Sequence, residues 1–208
     1  MSEKNISVQT LRRLPIYLHY LNSIKNDRDN ISATAISNRF GLNDVQVRKD
    51  LGAISGNGKP KTGYSVQELI RDIENFLGCD NPTKAVLVGA GNLGKALLSY
   101  GGFNDYGLEI VAAFDSAAQA DTINGKPVFS ADKLASFCNE NKITLGIITV
   151  PASQAQSVCD TLVAHGIKAV WNFAPTILRV PDGVIAENEN LASSLAVLCQ
   201  RLNGEGLE

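Results

Sequence analysis

Ala85-Val86-Leu87-Val88-Gly89-Ala90-Gly91-Asn92-Leu93-Gly94 is an apolar run followed by a G-x-G-x-x-G turn, and Lys95-Ala96-Leu97-Leu98-Ser99-Tyr100 continues it with a helical pattern. Strand, glycine turn and helix in that order are the context a dinucleotide fingerprint requires. The first glycine makes the tight turn, and the second lets backbone approach a pyrophosphate. The third lets the helix pack close to the strand, whose end then faces the free N–H groups and positive dipole end of the helix. Gly89, Ala90, Gly91, Asn92, Leu93 and Gly94 are therefore candidate cofactor-binding residues.

The next apolar run, Ile110-Val111-Ala112-Ala113-Phe114, ends on Asp115, 21 residues beyond Gly94. A carboxylate there suits the 2′-hydroxyl of an adenine ribose and repels a 2′-phosphate, which favours NAD(H) over NADP(H). Beyond residue 84 the chain alternates helical segments with short strands expected at 84–89, 109–114, 144–149, 167–171 and 184–186. That alternation predicts a parallel sheet covered by helices, an α/β Rossmann architecture. Thr149-Val150-Pro151 closes one of these strands, and Asn172-Phe173 follows another. These five residues are candidates for the nicotinamide side, with Val150, Pro151, Phe173 and Ala174 lining an apolar ring pocket. Such a pocket replaces little of the hydration of a cationic ring and favours the neutral, reduced one.

Upstream of residue 80 the pattern is helical. Leu11, Leu14, Leu18 and Leu21 form an amphipathic stripe, and Pro15 predicts a helix that starts near it or kinks there. Ser32 or Thr34 can cap a second helix with Ile36 and Phe40 inward; Gly41 stops it. Asn43 or Asp44 caps a third, through Val47, Leu51 and Ile54. Two short helices joined by a glycine-containing turn make a helix-turn-helix. Ser55–Gly63 is too rich in turn formers for a helix and, with Tyr64-Ser65-Val66 behind it, reads as a β-hairpin wing before a helix over 66–76. The N-terminal residues of the second helix of such a unit reach base edges, while flanking cations hold phosphates. Gln46, Arg48 and Lys49 occupy those positions, with Lys59, Lys61 and Tyr64 in the wing as further DNA-binding candidates. Glutamine pairs with adenine and arginine with guanine, whereas lysine serves as readily on a phosphate.

The 208 residues carry a net charge of −2, yet residues 1–80 hold 11 Lys/Arg against 9 Asp/Glu while residues 81–208 hold 8 against 12. A small basic face in an acidic chain fits a nucleic-acid partner. The polar opening Met1–Asn5 carries no secretory signal, and no run is long enough for a membrane span, so a cytoplasmic protein is expected. Cys79, Cys138, Cys159 and Cys199 are scattered with no C-x-x-C, which suits reduced thiols and neither a metal site nor a disulfide framework. Leu191, Leu195, Leu198 and Leu202 stripe a final helix that packs on its own domain or on a partner subunit. The boundaries expected are 1–80 for the helical DNA-binding domain, 81–187 for the Rossmann domain and 188–208 for the terminal helix and tail.

Val45-Gln46-Val47-Arg48-Lys49-Asp50-Leu51, Gly63-Tyr64, the stretch Val88–Gly94, Thr149-Val150-Pro151 and Trp171-Asn172-Phe173-Ala174-Pro175 together resemble the Rex family of redox-sensing transcriptional repressors. The resemblance runs in order over essentially the whole chain. It implies a homodimer whose N-terminal winged helix binds an inverted-repeat operator in double-stranded DNA. It also implies a C-terminal Rossmann domain sensing NADH against NAD⁺, and a terminal helix exchanged between subunits. Many members have an arginine where this chain has His19 and an aspartate where it has Asn190; with a tyrosine matching Tyr100 these form a polar relay. The charged pair is missing here. The wing also departs, reading Ala53-Ile54-Ser55-Gly56-Asn57-Gly58 in place of Phe-Gly pairs, and Ala117 stands for the second acid after the second strand.

Two rival classes remain. A nicotinamide-dependent oxidoreductase needs a substrate domain and a general acid or base near the reacting ring. About 115 residues follow the fingerprint, enough to finish the sheet and one helix, and neither His19 nor His165 joins a catalytic constellation. No enzyme and no catalytic residue is expected. A CoA-binding Rossmann protein shares the glycine turn, but Asp115 and the winged helix argue against it.

Overall fold

The computed structural model describes residues 6–56, 58–117, 122–202 and 204, apart from the side chains of Leu191 and Ser194. The polar opening segment 1–5, Asn57 of the wing and most of the tail beyond residue 202 lie outside the described residues. The chain divides into two compact units, Met1–Pro82 with Asn104–Gly107, and Thr83–Phe103 with Leu108–Glu208.

The first unit contains α1 (Val8–Ile24), β1 (Asn30–Ile31), α2 (Ala33–Phe40), α3 (Asp44–Ser55), β2 (Tyr64–Ser65) and α4 (Val66–Leu77). Side chains of Ser7, Ser32, Asn43 and Ser65 each accept a backbone N–H from the first turn of the helix that follows, satisfying donors that the helix itself cannot. Gly41, at φ +63°, ends α2 in the left-handed conformation. Helix α1 does not start near Pro15: it begins at Val8 and runs through the proline. Pro15 has no N–H to donate, but burial of Leu14, Tyr17, Leu18 and Leu21 on one face outweighs the missing bond. Those four pack with Ile36, Val47, Leu51, Leu69 and Ile73 into a single core. The wing is smaller than a full hairpin. Among the described residues its only ladder contact is a bridge between Lys59 and Gly63, and the strand leaving it pairs antiparallel with β1, Tyr64 opposite Ile31.

The second unit is built on a seven-stranded sheet. Its elements are β3 (Thr83–Val88), α5 (Asn92–Ser99), β4 (Leu108–Asp115), β5 (Thr122–Ile123), β6 (Lys126–Ser130), α6 (Leu134–Asn141), β7 (Leu145–Ile148), α7 (Ala152–Ala164), β8 (Ala169–Asn172), β9 (Ile185–Asn188) and α8 (Leu191–Leu202). The strand order is β5-β6-β4-β3-β7-β8-β9, all parallel except β5. Alternate residues of β3 face opposite layers: Ala85 and Leu87 pack with Leu98 of α5, Val86 and Val88 with Leu134, Cys138, Cys159 and Leu162 of α6 and α7. The chain winds outward from β3 through β4 and β6, then returns to β7 on the other side of β3. A crevice opens outside the carboxyl ends of the strands where the order reverses in this way.

Candidate functional site

Helix α3 is fixed from inside the first unit. Asp50, with only 1 % of its surface exposed, accepts five hydrogen bonds: Thr10 Oγ1 (3.0 Å), Arg13 Nε (2.7 Å), Arg13 Nη2 (2.9 Å), Tyr17 OH (3.0 Å) and Gln46 Nε2 (2.9 Å). Burial pushes the Asp50 carboxyl up, but these donors together outweigh it and hold it below the usual carboxylate range. Tyr17 is driven up by burial and by its bond to Asp50. A carboxylate depressed on folding contributes stability that is fully present above its unfolded value, about 4, and is lost as pH falls below that toward the folded value. Acid unfolding of the first unit should therefore start near pH 4, and Asp50→Ala should cost about 3 kcal/mol at neutral pH by stranding Arg13. Denaturant titrations at pH 7 and pH 3.5 check both; equal losses from the substitution at the two pH values would contradict this account.

The sequence candidates on α3 differ in freedom. Arg48 and Lys49 are exposed, while Gln46 is half-buried and tied to Asp50. Arg48 pairs with Asp44 one turn earlier (2.7 Å), and Asp44, held below its ordinary range by Arg48 and Thr34, is an anion on the same face. Arg48, Lys59, Lys61 and Tyr64 line a cleft of about 450 Å³ between the wing and the start of α2. Lys59 and Lys61 are exposed, and Lys61 sits at φ +67° at the wing's tip. Tyr64 is half-buried, packs on the core and has its ring against Gly58, so it supports the wing from within. His19 is exposed on α1 and lines a separate polar cleft with Lys25, Glu74 and Asp105.

In the second unit the ends of four strands are tied together. Gly89 N donates to Phe114 O (2.8 Å), Thr149 N to Val88 O (2.9 Å) and Phe173 N to Ile148 O (2.8 Å). Thr149 Oγ1 donates to Gly89 O at 2.6 Å. The glycines are required for different reasons. Gly89 has φ +104°, and a Cβ on Gly94 would lie 2.0 Å from Gly89 O. Gly91 meets neither constraint: its φ is −70° and a Cβ there would have, among the described residues beyond its chain neighbours, no atom within 4 Å. That open space lies at the start of α5, which has no side-chain cap. It is a cradle of bare N–H groups of the kind that seats a phosphate.

Asp115 reaches this turn because of a bulge. Ala85 pairs with Ile110 but Val86 with Ala112, so Val111 is an extra residue in β4. The extra residue shifts the alternation and puts Asp115 on the sheet face that carries α5. Its Oδ2 accepts from Ala90 N (2.6 Å) and its Oδ1 from Ala117 N (2.8 Å). Val150 and Phe173 are half-buried and Pro151 exposed at the neighbouring strand ends. Phe173 packs on Trp171 (ring centroids 4.7 Å apart), and Trp171 Nε1 donates to Glu189. Two expectations change here. Ala174 is buried in the core and is not presented to a ring, and the Asn172 side chain is fully buried and consumed by Ala174, Thr176 and Asn188. Asn172 braces the loop after β8. Sequence reasoning missed Asp50, Arg13 and Tyr17; the i,i+4 spacing of Gln46 and Asp50 was the available signal.

Both units match known protein families. A model described as "Putative DNA-binding protein N-terminus" matches residues 5–52, and one described as "CoA binding domain" matches residues 80–176. The redox-sensing transcriptional repressor Rex of Bacteroides fragilis is 43 % identical over 202 residues, covering 96 % of this chain and 92 % of that protein. The chain belongs to the Rex family of redox-sensing transcriptional repressors. The Rex of Treponema denticola is likewise 43 % identical, covering 97 % of both chains. The crystal structure of RSP with β-NAD⁺ and operator DNA superposes with a TM-score of 0.88 at 38 % identity, over 96 % of this chain and 94 % of that one. RSP with β-NADH gives 0.84 at 37 %, over 97 % and 96 %. These Rex-family relatives are named repressors, not enzymes. No helix among the described residues is long and apolar enough to cross a membrane, and no group of three or more His, Cys, Asp or Glu among them could hold a metal.

Proposed function

We propose that this chain is a cytoplasmic repressor without catalytic activity that binds an inverted-repeat operator as a homodimer and releases it when NADH occupies the Rossmann crevice. The observation that carries the nucleotide half is Gly91, a glycine that its own fold does not require. Its missing side chain leaves room for a ligand, and the pyrophosphate of NAD(H) supplies the charge that the start of α5 accepts. The Asp115 carboxylate takes the ribose hydroxyls. Thr149, Val150, Pro151 and Phe173 border the nicotinamide, and Gln46, Arg48, Lys49, Lys59 and Lys61 contact DNA. The CoA-binding description of the matching model fits the shared glycine turn, but a phosphorylated adenosine ribose is repelled by Asp115. Thermal unfolding tests this directly: NADH should raise the midpoint and CoA should not.

Asp115→Ala should weaken NADH binding at least tenfold and erase discrimination against NADPH, because a carboxylate that selects the hydroxyl and also tethers Ala90 N is lost. Titration followed by the emission of Trp171, the chain's single tryptophan, checks it; equal wild-type affinity for NADH and NADPH would rule out the role. On the DNA side, Arg48→Ala should cost about 1–3 kcal/mol if the guanidinium leaves Asp44 to read a base, and binding should fall steeply with salt. Gel-shift titration of both proteins at two salt concentrations decides, and equal affinities would remove Arg48 from the interface. For the dimer, Leu195, Leu198 and Leu202 of α8 are 58 %, 55 % and 77 % exposed, a stripe suited to a partner subunit that receives this helix.

A further inference from the structure

Asp50 does more than brace α1 against α3. Gln46 is the third residue of α3, on the turn that meets base edges in a helix-turn-helix. Its side chain reaches Asp50 one turn further on, at 2.9 Å. An ionised carboxylate only accepts, so the group facing Asp50 must be the amide Nε2, which leaves Oε1 and the second N–H turned away. The other four bonds to Asp50, from Thr10, Arg13 and Tyr17, hold the carboxylate still. We infer that Asp50 is a positioning residue for base reading: by pinning the Gln46 amide, it leaves an acceptor beside a single donor, the complement of an adenine edge in operator DNA.

Adenine shows a donor at N6 beside an acceptor at N7, which one acceptor and one donor match. Guanine shows two acceptors, N7 and O6. A free glutamine can turn its amide and offer both hydrogens of Nε2 to guanine. With one hydrogen held by Asp50, that choice is closed, and the pin converts a tolerant side chain into a selective one. The inference rests on the DNA-binding reading given above and adds which base Gln46 reads and what makes it selective.

The test is selection of half-sites from randomised duplexes by the full-length protein, followed by gel-shift titration. The wild type should show a position where adenine is preferred to guanine by roughly tenfold or more, the range of one good bidentate pair. Gln46→Ala should shrink that preference to within about twofold. In wild-type protein, 7-deazaadenine, or a purine lacking the 6-amino group, should lose most of the adenine advantage at the same position. Asp50→Ala removes the acceptor that holds the Gln46 amide and should lose the preference there while other positions keep theirs. Ile73→Val trims the same core without touching the Asp50 cluster, so it should lower the unfolding midpoint and leave the preference intact. Full tolerance of 7-deazaadenine across the half-site overturns the inference, and so does an unchanged base profile in a folded Asp50→Ala protein. Were Asp50→Ala not to fold, full tolerance of either base analogue by wild-type protein would still overturn the inference. A wild type that enriches no DNA at all would overturn the DNA-binding reading itself.

Discussion

Gly94→Ala is expected to lower nucleotide affinity more than about 100-fold and to destabilise the second unit by roughly 1–3 kcal/mol, the cost of overpacking. The added methyl would sit 2.0 Å from Gly89 O, and that oxygen cannot retreat. It accepts from Thr149 Oγ1 at 2.6 Å, and Gly89 N is bonded to Phe114 O. Helix α5 must therefore move off β3, taking its N-terminal N–H groups away from where a pyrophosphate sits. Gly91→Ala separates the two effects, since its methyl has no atom of the described residues beyond its chain neighbours within 4 Å. It should leave the unfolding midpoint unchanged and weaken binding by closing the open cradle. Thermal unfolding with and without NADH, beside a Trp171 emission titration, reads both quantities. A Gly91→Ala protein that binds NADH like the wild type would show that the cradle is not where the phosphates go.

What was legible in the sequence is what local rules determine. The strand-turn-helix around Gly89–Gly94, the Gly41 stop and a cap at Asn43 or Asp44 follow from backbone chemistry within a few residues, and all three stand in the structure, with Asn43 as the cap. Three features needed partners distant in sequence. Strand β6 contains Pro127 and only five residues, and it exists because Val128 and Phe129 pair with Ala113 and Phe114. Helix α1 crosses Pro15 because the core on its inner face requires it. The Val111 bulge, which turns Asp115 toward α5, is invisible to an apolar pattern in which every residue of Ile110–Phe114 is hydrophobic. At the candidate sites the same division holds. Residue types for phosphate, ribose and DNA could be named from spacing, whereas the pairings of Asp50 with Thr10, Arg13 and Tyr17 and of Asn172 with Asn188 could not. Both side chains are committed by partners far away in sequence.

Saturating NADH is expected to weaken operator binding by about 5- to 150-fold relative to saturating NAD⁺, the range of an ordinary coupling free energy of 1–3 kcal/mol. The two ligands differ in the charge of one ring, neutral when reduced and cationic when oxidised. The half-buried apolar side chains of Val150 and Phe173 offer a cation nothing to replace its hydration. Discrimination between ligands is not yet a switch. NADH can shift the conformational equilibrium only by its difference in affinity between the DNA-binding form and the released one. Linkage then demands that operator DNA weaken NADH binding by the same factor, so the coupling can be measured from either side. The value is expected toward the low end of the range. His19 stands where many relatives have an arginine, and Asn190, whose Oδ1 caps Ser193 N at the start of α8, stands where they have an aspartate. A neutral capping amide cannot make the ion pair that would tie the two forms to different charge contacts. Operator affinity measured with NADH, with NAD⁺ and with neither decides the matter, alongside NADH affinity with and without operator. Identical DNA affinity in all three conditions would end the sensing mechanism for this chain even with both binding sites intact. A restored charge pair, His19→Arg with Asn190→Asp, should widen the NADH effect, and a double variant with no larger response than the wild type would show that the coupling runs through other residues.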